Sequence, residues 1–287
     1  MPAADIRPMS IGELLDRTFT FYRQNFLVFV GIMVVPQLFI LLFNILQGAL
    51  TMMGSTVVAP GAGGTNPGAG LPNMSLMLGT AVLSIVALFV QFAMYAIAQA
   101  ATVFAVADLY LGKPATARDS YRRVQGKFMR VADVLISSSI RIMLGLFLFI
   151  IPGILLLLRY CVAVPAAMLE DLKAGPALKR STALTEGRRS DAFLIFLLSV
   201  ILSWVASLIF AWPFVFLQQA LLRSGQDLSW VSTLSYFGAF AGGVLVGPIA
   251  TIALALFYYD CRVRKEALDL QVMLSALDTQ GPSPATP

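Results

Sequence analysis

Long apolar runs separated by short polar segments dominate the chain. We predict six membrane-spanning helices from these runs: Phe26–Leu50, Leu76–Leu111, Asp133–Ile151, Ile154–Leu169, Ala192–Leu217 and Val231–Tyr259. About 20 residues of helix, each rising about 1.5 Å, cross the hydrocarbon of a bilayer. The second run exceeds this length, so its helix either tilts or extends beyond the lipid. The pattern predicts an all-α, polytopic transmembrane bundle.

The distribution of charge supports a membrane protein over a soluble one. Only 12% of the residues are charged, and none of the residues from Gln24 to Ala107 is Asp, Glu, Lys or Arg. Soluble domains carry about 25% charged residues. A water-soluble fold has too much surface to leave so long a run uncharged.

Basic residues predict the topology. The segments Lys113–Arg130 and Glu170–Asp191 are both rich in Lys and Arg, which places both in the cytoplasm. They share a side only if the chain turns back at Pro152-Gly153, between the third and fourth spans. Both termini then lie in the cytoplasm and the uncharged loop Thr51–Ser75 lies outside, as expected for a multi-pass protein of the cell membrane. The alternative is one kinked span over residues 133–169.

A spacing repeat organises the polar segments. "PATARDSYRRVQGK" and "PALKRSTALTEGR" share Pro-Ala, Ser and Gly, and "LLDRTFTFYRQNF" near the start is a looser copy. Each copy precedes two apolar runs, so we predict three repeats of surface amphipathic helix plus transmembrane hairpin, at about residues 10–111, 114–169 and 176–259. A C-terminal surface helix (260–277) completes a single membrane domain (1–277), and residues 278–287 form a disordered tail.

The surface helices are expected to lie at the membrane interface, with their apolar faces toward the acyl chains and their cations toward phosphates. Membrane lipids, anionic ones above all, are therefore the expected partners, together with an unidentified protein; nucleic acid is not expected. The candidate headgroup contacts are Arg118, Arg122, Arg123, Lys127, Lys179 and Arg180.

Two arginines fall inside predicted spans, where a charge needs a partner or a wet cavity. In one interpretation Arg141 and Arg159 snorkel or pair with a carboxylate, and Asp108 is a plausible partner for Arg141. In the other they form an anion site with the hydroxyls of Ser137, Ser138 and Ser139.

Enzymatic chemistry finds little support in the residues. The chain contains no histidine, which excludes Ser-His-Asp catalysis and histidine zinc sites. Cys161 and Cys261 have no ligand spacing, so neither a metal site nor a structural disulfide is expected. No signal peptide is expected, and no nucleotide motif or paired-aspartate motif appears. We expect a protein without cofactor, metal or catalytic residues.

Four segments carry a resemblance to a known family. "IGELLDRTFTFYRQNF", "IPGILLLLRYCVAVPAAMLE", "GPALKRSTALTEG" and "FYYDCRVRKEALDL" together resemble the membrane domain found beside some bacterial glycerophosphodiester phosphodiesterases, and related bacterial membrane families of uncharacterised function. In those two-part proteins a separate soluble barrel performs the hydrolysis. The resemblance therefore implies a membrane module and brings no catalytic residue to this chain.

Two functions follow as expectations. The first is a non-enzymatic membrane module that scaffolds a partner or interacts with lipid of the inner leaflet. The alternative is a transporter or lipid-handling protein with an anionic site at Arg141 and Arg159.

Overall fold

The computed structural model describes residues 8–56, 74–222 and 229–266, and in these ranges the chain forms helices and no strand. The helices are α1 (Ile11–Gln24), α2 (Phe26–Thr56), α3 (Met74–Tyr110), α4 (Ala117–Gln125), α5 (Phe128–Leu148), α6 (Ile150–Tyr160), α7 (Ala163–Leu169), α8 (Ala174–Thr185), α9 (Arg189–Phe210), α10 (Trp212–Leu222) and α11 (Ser229–Glu266).

Six helical stretches are long and apolar enough to cross a bilayer, as the sequence predicted. They are Phe26–Leu50, Leu78–Tyr110, Phe128–Leu148, Ile150–Leu169, Arg189–Phe210 and Thr233–Glu266. Several ends shift by a few residues, and two differences from the prediction are larger. The fifth run is divided between α9 and α10, and Asp260–Glu266 continues α11 instead of starting a separate surface helix.

Several predicted segments lie partly outside the described residues. Of the loop predicted at Thr51–Ser75, the first six residues extend α2 and the last two begin α3, and residues 57–73 are not described. Residues 267–277 of the predicted C-terminal surface helix and the tail 278–287 also lie outside the described residues.

The third and fourth apolar runs form a hairpin. The chain leaves helical geometry at Phe149, where φ is −159° and ψ is 150°. Gly145 of α5 then meets Gly153 of α6 so closely that a Cβ on Gly145 would lie 3.1 Å from the Gly153 Cα. The reversal precedes Pro152, which sits in the first turn of α6, where a missing N–H costs no helical hydrogen bond. This geometry favours the predicted hairpin over a single kinked span.

Local capping explains where the polar helices begin. Ser10 and Glu13 form a capping box at the start of α1, and the Thr116 hydroxyl accepts a hydrogen bond from the Asp119 N–H at the start of α4. α4 ends at Gln125 and is capped by Gly126, and α5 begins at Phe128.

The described chain divides into two compact units. Within the described residues, the first contains residues 8–32, 99–200 and 248–266, and thus α1, α4–α8 and the charged ends of the long helices. Its core includes an alanine-rich stretch of α3, Ala100–Ala107, and the buried stretch of α11 from Ile252 to Cys261. Tyr110 and Tyr259 stack there with ring centroids 4.4 Å apart.

The second unit contains residues 33–98 and 201–247, and close backbone approach holds it together. Gly243 of α11 faces the side-chain amide of Gln37, and a Cβ on Gly238 would lie 1.9 Å from the Phe210 carbonyl oxygen. The small-residue face of α11 therefore packs within the chain. Gln47 donates to the Ser84 hydroxyl, which joins α2 to α3.

Replacing Gly238 with Ala should destabilise the second unit, because the new methyl group collides with backbone and cannot be accommodated by a rotamer change. We expect a loss of about 1–3 kcal/mol in thermal unfolding of the detergent-solubilised protein. Gly79→Ala is the matched control: no atom lies within 4 Å of its Cβ, so it should be neutral or stabilising. Equal midpoints for the two variants would contradict this packing.

Candidate functional site

A buried carboxylate, Asp260, lies at the centre of a polar cluster in the first unit. Its side chain is 0% exposed. Its Oδ1 accepts the Met9 backbone N–H at 2.7 Å, and its Oδ2 accepts hydrogen bonds from Arg188 and, at 3.2 Å, from Arg264 Nε. Arg264 also donates to the Met9 carbonyl at 2.6 Å. We call these residues, with Asp191, the Asp260 cluster.

Arg188 occupies the elbow between α8 and α9. It pairs with Asp191 at 2.6 Å as well as with Asp260, and its guanidinium lies 5.1 Å from the centre of the Phe257 ring. Burial alone would lower the pKa of Arg188, but its hydrogen bonds and charge contacts with Asp260 and Asp191 raise that pKa above the usual value. Arg188 thus stays charged and committed to the interior.

A second group of ionisable side chains, the Glu170 cluster, joins the end of α7 to α8 and α11. Arg180 donates to both Glu170 oxygens at 2.8 and 3.0 Å and also pairs with Glu266. Tyr258 donates to Glu170 at 2.7 Å, and Arg262 binds Glu266 at 3.0 Å. Opposite charges alternate through this cluster, so each carboxylate has at least two donors.

α8, the polar helix inside the apolar half of the chain, is held by more than ion pairs. Its Ser181 hydroxyl donates to the Arg159 carbonyl at 2.7 Å, at the end of α6. Lys265 of α11 donates to the carbonyls of Ala183 and Glu186 at its C-terminus, where a cation also complements the helix dipole. The apolar face of α8, including Leu178 and Leu184, is buried. α8 is therefore buried on its apolar face and exposed on the opposite face.

α4 is tethered to α2 through a backbone group that a proline leaves free. Pro36 lies inside α2 and has no N–H, so the carbonyl of Ile32 lacks its usual helical donor. The Tyr121 hydroxyl donates to that carbonyl. Burial raises the pKa of Tyr121 to about 12, so the phenol stays protonated. Ala117, one turn earlier, lies against Gly31.

The six candidate headgroup residues divide into two equal groups. Arg123 binds Asp108 at 2.6 Å, Lys127 binds Asp171 at 2.6 Å, and Arg180 belongs to the Glu170 cluster. Arg118, Arg122 and Lys179 are exposed and form no ion pair with any residue that the structure describes. Sequence spacing alone did not separate the committed cations from the available ones.

Asp171 shows how the committed cations act. It follows α7 with a φ of +59°, an uncommon conformation for a residue with a side chain. Lys127 and Arg130 both contact its carboxylate. The hydrogen bond from Lys127, with the charges of both cations, holds the pKa of Asp171 below its usual value. These contacts join the start of α5 to the end of α7.

The intramembrane candidates do not assemble into one site. Arg141 is exposed and donates to the carbonyl oxygen of Ser137 at 2.8 Å and to its hydroxyl. Asp108 is engaged with Arg123, so the predicted pair of Asp108 with Arg141 is not formed. The Nε of Arg159 is buried without a hydrogen-bond partner among the described residues.

A cavity of about 200 Å³ lies within the first unit, beside two of the predicted serines. Ser138 and Ser139 of α5 line it, with Gln99 of α3 and Thr251 of α11. Ser137, Arg141 and Arg159 are not among its lining residues. Within the described ranges, no group of three or more Cys, Asp or Glu side chains is placed to hold a metal ion.

Comparison of the chain with protein-family models, with curated proteins and with solved structures finds no match. The functional argument therefore depends on the geometry of the described residues.

Sequence analysis missed the two clusters as units. Asp260 and Glu170 were visible only as acids near the ends of apolar runs, and their cationic partners are up to 92 residues away in the chain. A local signal exists in "DCRVRKE", where two acid–cation pairs have i, i+4 spacing, but it does not name Arg188 or Arg180 as partners.

We predict that Asp260→Asn strongly destabilises the protein. The substitution removes the charge that Arg188 and Arg264 share in a buried position, and breaking such an arrangement costs about 3–5 kcal/mol. Thermal unfolding in detergent measures the loss. Asp171→Asn is the matched control, since its side chain is 62% exposed, and it should change the midpoint little. Similar midpoints for both variants would show that the Asp260 cluster is not a stabilising element.

A double-mutant cycle tests the tether of α4. Tyr121→Phe should cost about 0.5–1.5 kcal/mol by leaving the Ile32 carbonyl without a donor. In a Pro36→Ala background residue 36 supplies its own N–H, so the same substitution should cost much less. Unfolding midpoints of the four proteins provide the coupling energy, and strict additivity would argue against the tether.

Proposed function

We propose that this integral membrane protein is a non-enzymatic module that binds anionic lipid headgroups of the cytoplasmic leaflet through α4. The observation that carries the proposal is the pair Arg118 and Arg122, which are exposed, four residues apart on one short helix, and free of ion pairs with described residues. With Asp119, Tyr121 and Gln125 they line a surface hollow.

The geometry of α4 suits recognition of phosphate. Residues four apart on a helix have their Cβ atoms about 5–6 Å from each other, so two guanidinium groups can approach one phosphate or two neighbouring ones. Arginine binds phosphate with paired N–H donors. Each cation near an anionic membrane surface contributes about 1 kcal/mol. The nearby Asp119 is engaged by the Thr116 hydroxyl at 2.6 Å.

Rigid attachment of α4 supports the same proposal. Tyr121 and Arg123 tie the helix to α2 and α3 through Ile32 and Asp108. Arg118 and Arg122 are therefore displayed from a fixed helix, which lowers the conformational entropy lost on binding.

The cytoplasmic placement and the repeat interpretation belong to this proposal. The positive-inside rule supports placing the cationic segments in the cytoplasm. α1, α4 and α8 each precede a pair of apolar helical stretches, which supports three repeated units. In this arrangement α4 serves lipid binding, and α8 contributes the exposed Lys179 but is otherwise committed to the interior.

The test compares the thermal stabilisation of purified protein by phosphatidylglycerol and by phosphatidylcholine in detergent. A ligand that binds the folded state raises the midpoint, so phosphatidylglycerol should stabilise the wild type more. The double variant Arg118→Gln/Arg122→Gln should lose at least half of that difference, because the only change is removal of two unpaired cations. The control Arg23→Gln/Lys173→Gln removes two other exposed cations and should retain the difference.

Three other outcomes would redirect the assignment. Equal loss in both double variants would indicate non-specific charge attraction. Loss in Arg141→Ala/Arg159→Ala with retention in the α4 variant would favour the lipid-handling alternative. A stoichiometric protein retained through crosslinking in native membranes, without a lipid effect, would favour a scaffold.

A further inference from the structure

The α5–α6 hairpin (Phe128–Tyr160) has an unusually apolar turn. No polar side chain occurs in the 17 residues from Ile142 to Leu158. Around the reversal, Phe147 is 91% exposed and Phe149 70% exposed, and Leu148, Ile150 and Ile151 are similarly exposed. A loop that reaches the far side of a bilayer would present this surface to headgroups and water, where large exposed apolar patches are uncommon.

Two arginines bracket this apolar turn at matched distances. Arg141 lies eight residues before Phe149 and Arg159 lies ten residues after it. Each is therefore about 12–15 Å of helix from the reversal, roughly half of a hydrocarbon core about 30 Å thick. Arg141 is exposed, and its guanidinium extends back along α5 to Ser137, away from the turn.

α3 and α11 continue much further than α5 beyond the cavity that all three helices line. Ser139, Gln99 and Thr251 line the same cavity and so mark one level on α5, α3 and α11. From this level α5 has ten residues before its turn, about 15 Å. α3 has 21 residues before Leu78, about 32 Å, and α11 has 18 before Thr233, about 27 Å. The α3 length reaches the hydrocarbon thickness of about 30 Å, the α11 length comes close to it, and the α5 length is about half of it.

We infer that the α5–α6 hairpin is re-entrant: it inserts into the acyl chains of one leaflet and returns, and Arg141 and Arg159 bind lipid phosphates where it enters. The occupant of its exposed apolar surface is the acyl chains of the leaflet on the side of the charged clusters. Positive guanidinium groups and anionic headgroups are complementary, and arginine near a membrane interface snorkels toward phosphate. Each helical arm of the hairpin then extends about 12–15 Å into the lipid.

Charge counting does not distinguish this topology from a crossing hairpin. A hairpin that crosses twice and one that enters and returns both leave the segments before α5 and after α7 on the same side. The two topologies differ in depth. In a crossing hairpin Ile140 lies near the middle of the bilayer and Phe149 near the far headgroups, whereas a re-entrant hairpin reverses that order.

Nitroxide depth measurement in liposomes tests the inference. Spin labels are placed on Ile140→Cys and, separately, on Phe149→Cys, two exposed positions, and accessibility to oxygen is compared with accessibility to a polar nickel chelate. The native cysteines are buried, so unmodified protein serves as the labelling blank. Phe149→Cys should be deeper than Ile140→Cys by about 13 Å, with strong contact to oxygen and little to nickel.

Two control labels calibrate the experiment. Met129→Cys, at the start of α5, should be shallow, and Leu88→Cys on α3 should report lipid. The inference is overturned if the label at 149 is no deeper than the label at 140, or if it is shielded from both reagents, since lipid contact at the turn is part of it. Leu148→Cys repeats the measurement should the label at 149 disturb folding.

Discussion

The packing of the charged end of this protein depends on the burial of the Asp260 carboxylate away from water. A carboxylate with no exposure is stable only if donors replace its water, and here the donors come from the N-terminal segment, the α8–α9 elbow and α11 itself. Because the three segments are distant in the chain, the same requirement brings them together. The Glu170 cluster repeats the solution for α7, α8 and α11.

The cations of the polar segments perform different tasks. Three of them are bound to carboxylates within the protein: Arg188, Arg180 and Arg123. Their removal would destabilise the fold. Arg118 and Arg122 make no such pair with described residues, although they share a helix with Arg123. A membrane surface can attract these two without breaking an internal contact, which is why the lipid-binding proposal is placed on α4.

Backbone groups of the apolar helices also need partners, because lipid supplies none. Pro36 frees the Ile32 carbonyl, and Tyr121 of α4 occupies it. Gly238 allows the Phe210 carbonyl to approach α11. Gly145 and Gly153 allow α5 and α6 to pack closely against each other. Glycine in these apolar runs thus permits close approach of a neighbouring helix, and proline leaves a carbonyl available to a donor from another helix.

Hydrophobic pattern by itself determined much of the fold: six apolar helices, the polar helices between them and the reversal between α5 and α6 follow from run length, charge and one Pro-Gly pair. These features are local, since a membrane helix must satisfy its own backbone and a charge-free run of 20 residues has few other stable forms. Tertiary structure decided which cations are available. Asp108 pairs with Arg123 and not with Arg141, and Asp260 pairs with Arg188. Ion pairing depends on which helix ends lie close together in space. Asp260 and Arg188 are 72 residues apart, and no local sequence pattern indicates that they are in contact.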